Sequence, residues 1–230
     1  MTRLQAEWQR LYLHEAGDGR VRALVLEVKQ PAGWDALSRL WQGVQRDLDW
    51  PAPAIAISGS DAYQLWFSLA QPEDAQRATA VLQHLVGRYL RDVAPERVRF
   101  QAVDPGAPGT LPPAQVAAER WSAFVSADLA ALFAEERWLD HPPGSDAQAD
   151  LLSRVQAVTP EVFLSAEQQL AREQPAEAGM QPEGGPAANA PTSDPRRFLL
   201  SVMQDASAPL HLRIEAAKAL LSTTEGERSR

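Results

Sequence analysis

Residues 55–69 read IAISGSDAYQLWFSL, and the rest of the fold is organised around this stretch. The pattern predicts two short strands, the first ending at Ile57 and the second running from about Ala62 to Leu69. Residues 58–61 between them are serine, glycine and aspartate, which tolerate unusual backbone angles or bond their own main chain, so a hairpin turn is expected. In the second strand, apolar residues alternate with mixed ones, which predicts one apolar face and one mixed face. The mixed face is the expected place for function.

The flanking sequence predicts the remaining elements of a single sheet. Apolar spacing indicates a helix at 2–14, a strand at 21–29, a helix at 34–49, a helix from about 72 to 93 and a strand at 98–102. Strand, helix, strand, strand, helix, strand is the order of a split β-α-β fold, ferredoxin-like and RRM-like. The predicted class is therefore α+β, with a four-stranded sheet, both helices on one face and the other face free.

The second half of the chain is predicted to be helical. Helices are expected at about 113–135, 145–157 and 160–172, as an extension of a domain spanning 1–172. Residues 173–193 are rich in proline, glycine, alanine and glutamate, which is typical of a disordered linker. Residues 194–222 then predict a helical hairpin, which is too short to form a core alone and must dock on its own domain or on a partner. Its candidate partner-binding residues are Phe198, Leu199, Val202, Met203 and Ile214.

Composition restricts the function further. The 230 residues contain no cysteine, which excludes disulfides, thiolate zinc sites and cysteine nucleophiles, and the four histidines are scattered. No apolar run approaches the roughly 20 residues that cross a bilayer, and the N-terminus lacks the apolar block of a signal peptide, so a cytoplasmic protein without membrane contact is expected. The net charge of −8 opposes nonspecific binding of nucleic acid but leaves room for a local basic groove.

Three segments together resemble the archaeo-eukaryotic primase, or primase-polymerase, superfamily over residues 20–105. Residues 58–69 (SGSDAYQLWFSL) resemble its second motif, in which a Ser-Gly turn leads into a strand carrying a histidine near the incoming nucleotide. Residues 24–31 (LVLEVKQP) occupy the place of the first motif, a hydrophobic strand ending in Asp-x-Asp. Val103 and Asp104 occupy that of the third, a single acid after a strand. The resemblance implies a nucleotide site on an RRM-like sheet.

The chain departs from this family where the chemistry is done. Nucleotidyl transfer uses two metal ions roughly 4 Å apart, held by carboxylates on one strand face. Here those positions are Glu27 and Lys29, and the lysine brings a positive charge where a cation needs a negative one. Gln64 replaces the histidine and cannot take up a proton as histidine does. The resemblance therefore implies a catalytically degenerate domain of bacterial or prophage DNA metabolism, with no catalytic residue, metal or cofactor, rather than an active polymerase.

The candidate binding surface consists of residues from all three motifs and the neighbouring strand. Trp66 would stack on a base, while Lys29 and Arg99 would meet phosphate of a nucleotide or a single-stranded nucleic acid. The alternative is that Glu27 and Lys29 form an ordinary pair on a solvated strand and that residues 58–61 are an ordinary turn. The full set of candidate binding residues is Glu27, Lys29, Ser58, Gly59, Gln64, Trp66, Arg99 and Asp104.

A second function remains open at the C-terminal end. Residues 194–221 are similar to a short helical motif of phage-related and DNA-packaging accessory proteins of bacteria. A linker followed by an amphipathic hairpin is typical of a tethered partner-binding element, because tethering raises the effective concentration of the two modules. The alternative function is thus a protein-interaction adaptor without nucleotide binding, whose partner is a replication or phage-related protein.

Overall fold

The computed structural model describes residues 1–13, 19–102 and 111–173. Its α-helices are α1 (Arg3–Leu11), α2 (Trp34–Asp47), α3 (Ala75–Tyr89), α4 (Ser145–Ser153) and α5 (Pro160–Glu173). Its strands are β1 (Arg20–Lys29), β2 (Ala54–Ile57), β3 (Ala62–Asp74), β4 (Val98–Ala102), β5 (Gln115–Ala117), β6 (Arg120–Trp121) and β7 (Ala123–Val125). Two short 3₁₀ helices span Pro95–Arg97 and Ala130–Phe133. The predicted α+β class is confirmed.

The main sheet has five strands in the order β4-β1-β3-β2-β7, and every neighbouring pair is antiparallel. β1 is an interior strand, because it pairs with β3 on one side and with β4 on the other. The four strands expected from the sequence are therefore joined by β7, which pairs with the outer edge of β2. β5 and β6 form a separate two-stranded hairpin.

The first face of the sheet carries the larger core. Alternate strand residues such as Leu24 and Leu26 of β1 and Leu65 of β3 are fully buried against α2, α3 and α5. Leu40 of α2 and Leu82 of α3 meet them from the helical layer. Each fully buried leucine stabilises the fold by roughly 1.5–3 kcal/mol through the apolar surface it removes from water. The period of two in the strands and of about 3.6 in the helices brings these residues together.

The second face is covered by α1 and α4 along its apolar part, which corrects the expectation of a free face. Leu11 and Tyr12 at the end of α1 and Leu152 of α4 pack on Val25 and Trp66 of the sheet. α1 begins with a capping box, in which the Thr2 side chain accepts from the backbone of the third helical residue while that residue's side chain bonds the backbone of Thr2. The alternation in β3 thus predicted a second face correctly, but part of this face lies in the interior.

The predicted helix at about 113–135 is wrong. The structure has β5, β6, β7 and a 3₁₀ helix there. Glu119 adopts a positive φ of 56°, which turns the chain between β5 and β6, and the main chain at Phe124 pairs with Ala56 of β2. The apolar spacing of this segment matches a helix, but the exposed edge of β2 offers main-chain hydrogen bonds that such spacing does not reveal. The helices predicted at 145–157 and 160–172 are present as α4 and α5.

Several predicted features lie outside the described residues. These are the linker at 173–193 beyond Glu173, the hairpin at 194–222 with its candidate partner-binding residues, and Asp104. Within the described ranges, no helix has the length and apolar character needed to cross a membrane.

Candidate binding site on the sheet

Polar side chains occupy one end of the second sheet face. Glu27 of β1 is in register with Gln64 of β3 on one side and with Arg99 of β4 on the other. Directly opposed residues of antiparallel strands share a face, so these three form one row across the sheet. Lys29 lies two residues further along β1 and projects from the same face, and Ser58 directly follows β2. We call Glu27, Lys29, Ser58, Gln64 and Arg99 the polar end.

The polar end begins one row away from the apolar part of the same face. There Val25 is in register with Trp66, and both are buried. Glu27 and Gln64 are half-buried, whereas Arg99 is exposed. The Lys29 side chain keeps 23% of its surface accessible. Cationic groups of this end therefore reach solvent while their strands are held by a packed core.

A chain of hydrogen bonds links the polar end to that core. The indole Nε1 of Trp66 donates to Oε1 of Gln64 at 3.0 Å. The amide Nε2 of Gln64 in turn donates to Oε2 of Glu27 at 3.0 Å. Trp66 thus fixes which end of the Gln64 amide faces Glu27, because an indole N–H only donates. Within the part of the chain that the structure describes, one amide hydrogen of Gln64 and one oxygen of Glu27 are left for further bonds.

The turn of residues 58–61 is tightly held at the border of the polar end. The Ser58 hydroxyl accepts from the backbone N–H groups of Ser60 and Ala62 at 3.2 and 3.0 Å. Gly59 has a φ of +82°, and a Cβ at that position would lie 2.8 Å from the backbone nitrogen of Ser122. Only glycine fits such a position without strain. Asp61 closes the turn, and its carboxylate lies 3.3 Å from Nζ of Lys29.

Arg137 anchors the same turn from inside the protein. Its side chain is fully buried, and its guanidinium donates to the carbonyl oxygens of Val28, Asp61 and Ala32 at 3.2, 3.1 and 2.6 Å. The backbone carbonyl of Arg137 accepts from Gly59 N–H at 2.8 Å. The end of β1, the loop after it and the hairpin turn are therefore tied to one side chain.

Arg137 carries its charge with no carboxylate within ion-pair distance in the described part of the chain. Burial lowers the pKa of its guanidinium, and the ring of Tyr63 lies 4.3 Å from the guanidinium carbon. Burial likewise raises the pKa of the Tyr63 hydroxyl, which donates to the carbonyl of Ala130 at 2.6 Å. The cation–π contact and the three carbonyls together hold a positive charge close to the polar end.

The sequence-predicted binding residues do not all lie on one surface. Glu27, Lys29, Ser58, Gln64 and Arg99 come together as the polar end. Gly59 shapes the turn, and its N–H is used by Arg137.

Trp66 is placed in the core, which corrects the expectation that its ring is free to stack on a base. The side chain is 2% exposed, with ring centroids of Tyr12 and Phe124 at 5.3 and 5.9 Å. The alternative reading, in which Glu27 and Lys29 form an ordinary pair, is not what the structure has, because the ion pair of Lys29 is with Asp61.

Sequence reasoning missed Arg137 and the role of Asp61. Arg137 follows two glutamates in a segment that reads as a solvated helix end, and nothing in its neighbourhood marks a buried cation. Asp61 was expected only as a turn residue. One sequence signal could have revealed the contact between Asp61 and Lys29. Asp61 directly precedes β3, which neighbours β1, and this position brings Asp61 near the end of β1 where Lys29 lies.

The polar end combines two cations with hydrogen-bonding side chains, and such groups are suited to binding an anion. Among the residues that the structure describes, no three histidine, aspartate or glutamate side chains come together as a metal-binding group. No protein-family model matches the chain, and no curated protein matches it significantly.

Proposed function

We propose that this chain is a catalytically degenerate, primase-like domain that binds a nucleotide or a nucleic acid through the polar end of its sheet. The observation that carries the proposal is the row of Arg99, Glu27 and Gln64 across three neighbouring strands, with Lys29 beside it. Two cations that reach solvent on a rigid sheet are suited to binding a phosphate group. Because the chain has a net charge of −8, which opposes nonspecific binding, such binding would depend on these local cations. DNA metabolism of a bacterium or prophage is the setting that the sequence resemblance suggests.

Sheet connectivity supports this proposal. Within the five-stranded sheet, the order β4-β1-β3-β2, with α2 following β1 and α3 following β3, is the order that the proposed split β-α-β fold requires. In this arrangement β1 and β3 are the central strands, and they carry Glu27, Lys29 and Gln64. The three residues that stand at the family's first two motif positions are thus neighbours on one face.

The side chains at those positions favour binding over catalysis. Lys29 brings an ammonium group to a place where a second carboxylate would hold a metal ion. Gln64 is bonded to Trp66 and Glu27, and an amide is neither protonated nor deprotonated near neutral pH, so it cannot act as a general acid or base. Phosphate would meet Lys29 and Arg99, and a donor group of the sugar or base would meet the free oxygen of Glu27.

Binding measurements on single-charge variants test this proposal. Calorimetric titration with nucleotides, and fluorescence anisotropy of a labelled oligothymidylate, would be run on the full chain in EDTA and again in Mg²⁺. We expect Lys29→Ala and Arg99→Ala each to weaken binding between about ten- and a hundredfold, since a hydrogen bond to a charged group contributes about 1.5–3 kcal/mol and about 1.4 kcal/mol is a factor of ten. Binding in EDTA should equal binding in Mg²⁺, because the fixed ammonium supplies the positive charge.

Arg172→Ala is the matched control. Arg172 is exposed on α5, which packs on the first sheet face, and its removal changes the net charge by the same amount. We expect it to leave affinity within about twofold of the wild type, because charges beyond about 10 Å are largely screened at 0.1 M salt. Equal weakening by all three variants would show only a general charge effect, and failure of the wild type to bind any nucleotide or oligonucleotide would refute the proposal.

A further inference from the structure

Lys29 and Asp61 form an ion pair at the surface of the polar end. Nζ of Lys29 lies 3.3 Å from Oδ2 of Asp61, and the two side chains keep 23% and 48% of their surface accessible. A pair this exposed is weak, with a typical free energy of 0.2–1 kcal/mol. An incoming anion can therefore separate the two groups at little cost.

The backbone of Asp61 is fixed while its carboxylate is not. The Asp61 carbonyl accepts from the backbone N–H of Gln30 at 2.9 Å and from Nη1 of Arg137 at 3.1 Å. Among the described residues, the carboxylate has only the Lys29 pair and a long bond of 3.3 Å from the Ser60 hydroxyl. Rotation of the side chain would release Lys29 without disturbing the turn.

Two cations contact the Asp61 residue itself. Nζ of Lys29 lies at its carboxylate, and the buried guanidinium of Arg137 donates to its backbone carbonyl. Arg99 of the polar end is a third cation on the same sheet, in register with Glu27, whose carboxylate accepts from Gln64. A doubly charged anion satisfies these cations better than one carboxylate does.

We propose that Asp61 is an internal counter-anion that occupies Lys29 in the unliganded protein and is displaced by the phosphate monoester of a bound nucleotide. This inference rests on the function proposed above. A phosphate monoester carries about −1.5 to −2 charge at pH 7 and presents three acceptor oxygens, whereas the carboxylate carries one charge. Competition with the Asp61 carboxylate also favours anions of higher charge. An anion of single charge binds Lys29 little better than the carboxylate that it replaces.

Removing the charge of Asp61 should therefore strengthen binding. Asp61→Asn keeps the shape of the side chain. It also keeps the backbone carbonyl that accepts hydrogen bonds from Gln30 and Arg137. It frees Lys29 and removes repulsion between the carboxylate and the phosphate. We expect the affinity for a nucleoside monophosphate to rise between about two- and tenfold, which spans the loss of an exposed ion pair and one like-charge contact.

The experiment is a double-mutant cycle of Asp61→Asn and Lys29→Ala, read by calorimetric titration with a nucleoside 5′-monophosphate. The same nucleoside without phosphate and inorganic phosphate are titrated in parallel. We expect Asp61→Asn to strengthen binding of the monophosphate and of inorganic phosphate but not of the nucleoside. In the Lys29→Ala background, the gain in binding free energy from Asp61→Asn should be less than about half of the gain measured in the otherwise wild-type protein. The midpoint of thermal unfolding is followed for each variant, and little change is expected.

Asp92→Asn is the matched control. Asp92 forms an exposed ion pair with Arg39 and has the same charge and the same isosteric replacement, but it lies away from the polar end. We expect it to leave affinity unchanged. If Asp61→Asn binds the monophosphate no more tightly than the wild type while Lys29→Ala still weakens binding, this inference is refuted and the proposed function stands. If neither the wild type nor Asp61→Asn binds any probe, both are refuted.

Discussion

The substitution Trp66→Ala tests whether Trp66, at the centre of the second sheet face, belongs to the protein core or to an exposed surface. The side chain is 2% exposed, and its ring contacts Tyr12 at 5.3 Å and Phe124 at 5.9 Å between centroids. Truncating a buried tryptophan to alanine costs about 3–5 kcal/mol through lost burial and the cavity that remains. Loss of the Nε1 donor leaves Oε1 of Gln64 without its partner, which adds about 1 kcal/mol.

The expected loss in the free energy of unfolding is therefore about 4–6 kcal/mol, a large part of the 5–15 kcal/mol typical of a domain. Urea unfolding followed by far-ultraviolet circular dichroism is the suitable assay, because the substitution removes a fluorophore. Trp66→Phe keeps an aromatic ring against Tyr12 and Phe124 but lacks the donor, and we expect it to cost about 1–3 kcal/mol.

Trp138→Ala is the control for removal of a tryptophan as such. Trp138 is half-buried, with the guanidinium carbon of Arg120 4.2 Å from its ring centroid, and a cation–π contact of this kind contributes about 0.5–1 kcal/mol. The loss in the free energy of unfolding on Trp138→Ala should be less than half of the loss on Trp66→Ala. An unfolding free energy of Trp66→Ala within 1 kcal/mol of the wild type, together with lost nucleotide binding, would show that Trp66 belongs to an open binding surface and that the packing argument is wrong.

Three further predictions concern polar groups in the core and between helices. The amide of Gln148 bonds both N–H and C=O of Phe124 at 2.7 and 3.0 Å, so Gln148→Leu leaves two buried main-chain groups unpaired and should cost about 2–6 kcal/mol in urea unfolding. The hydroxyl of Tyr12 is buried without a partner in the described residues, so Tyr12→Phe should keep or slightly raise the thermal midpoint, and a fall of more than a few degrees would contradict this. Hydrogen bonds from Arg77 lower the pKa of Glu167, so this carboxylate contributes stability above its unfolded pKa of about 4.5 and loses it as the pH falls through the lower folded value. Glu167→Gln should thus reduce stability at pH 7 by about 1 kcal/mol and weaken the acid dependence of unfolding, whereas parallel pH profiles of the two proteins would contradict the pairing.

Residues 20–102 could be predicted from the sequence because their elements follow local patterns. β1 and β3 alternate apolar residues with a period of two, and α2 and α3 carry apolar stripes at helical spacing. Asp74 directly precedes α3, and its side chain caps the helix by accepting from Arg77 N–H, which is a local signal for a helix start. These signals depend on residues a few positions apart, so the sequence contains them directly.

The same local reasoning failed for residues 113–135. Phe124 and Trp121 have helical spacing, yet Phe124 lies in β7 because the edge of β2 supplies hydrogen bonds from residues nearly 70 positions earlier. Gln148 then closes the outer side of β7 with its own amide. Neither partner is visible in the spacing of the segment itself.

For the candidate site, the sequence determined which residues share a face, and only the tertiary structure decided which of them are covered. Glu27, Lys29 and Gln64 follow from strand alternation, but Trp66, on the same face as Gln64, is buried because α1 and α4 pack over that half of the sheet. Arg137 bonds carbonyls of residues 28, 32 and 61, separated from it by 76 or more positions. Strand periodicity is a property of neighbouring residues, whereas burial and counter-ions depend on segments that meet only when the chain has folded.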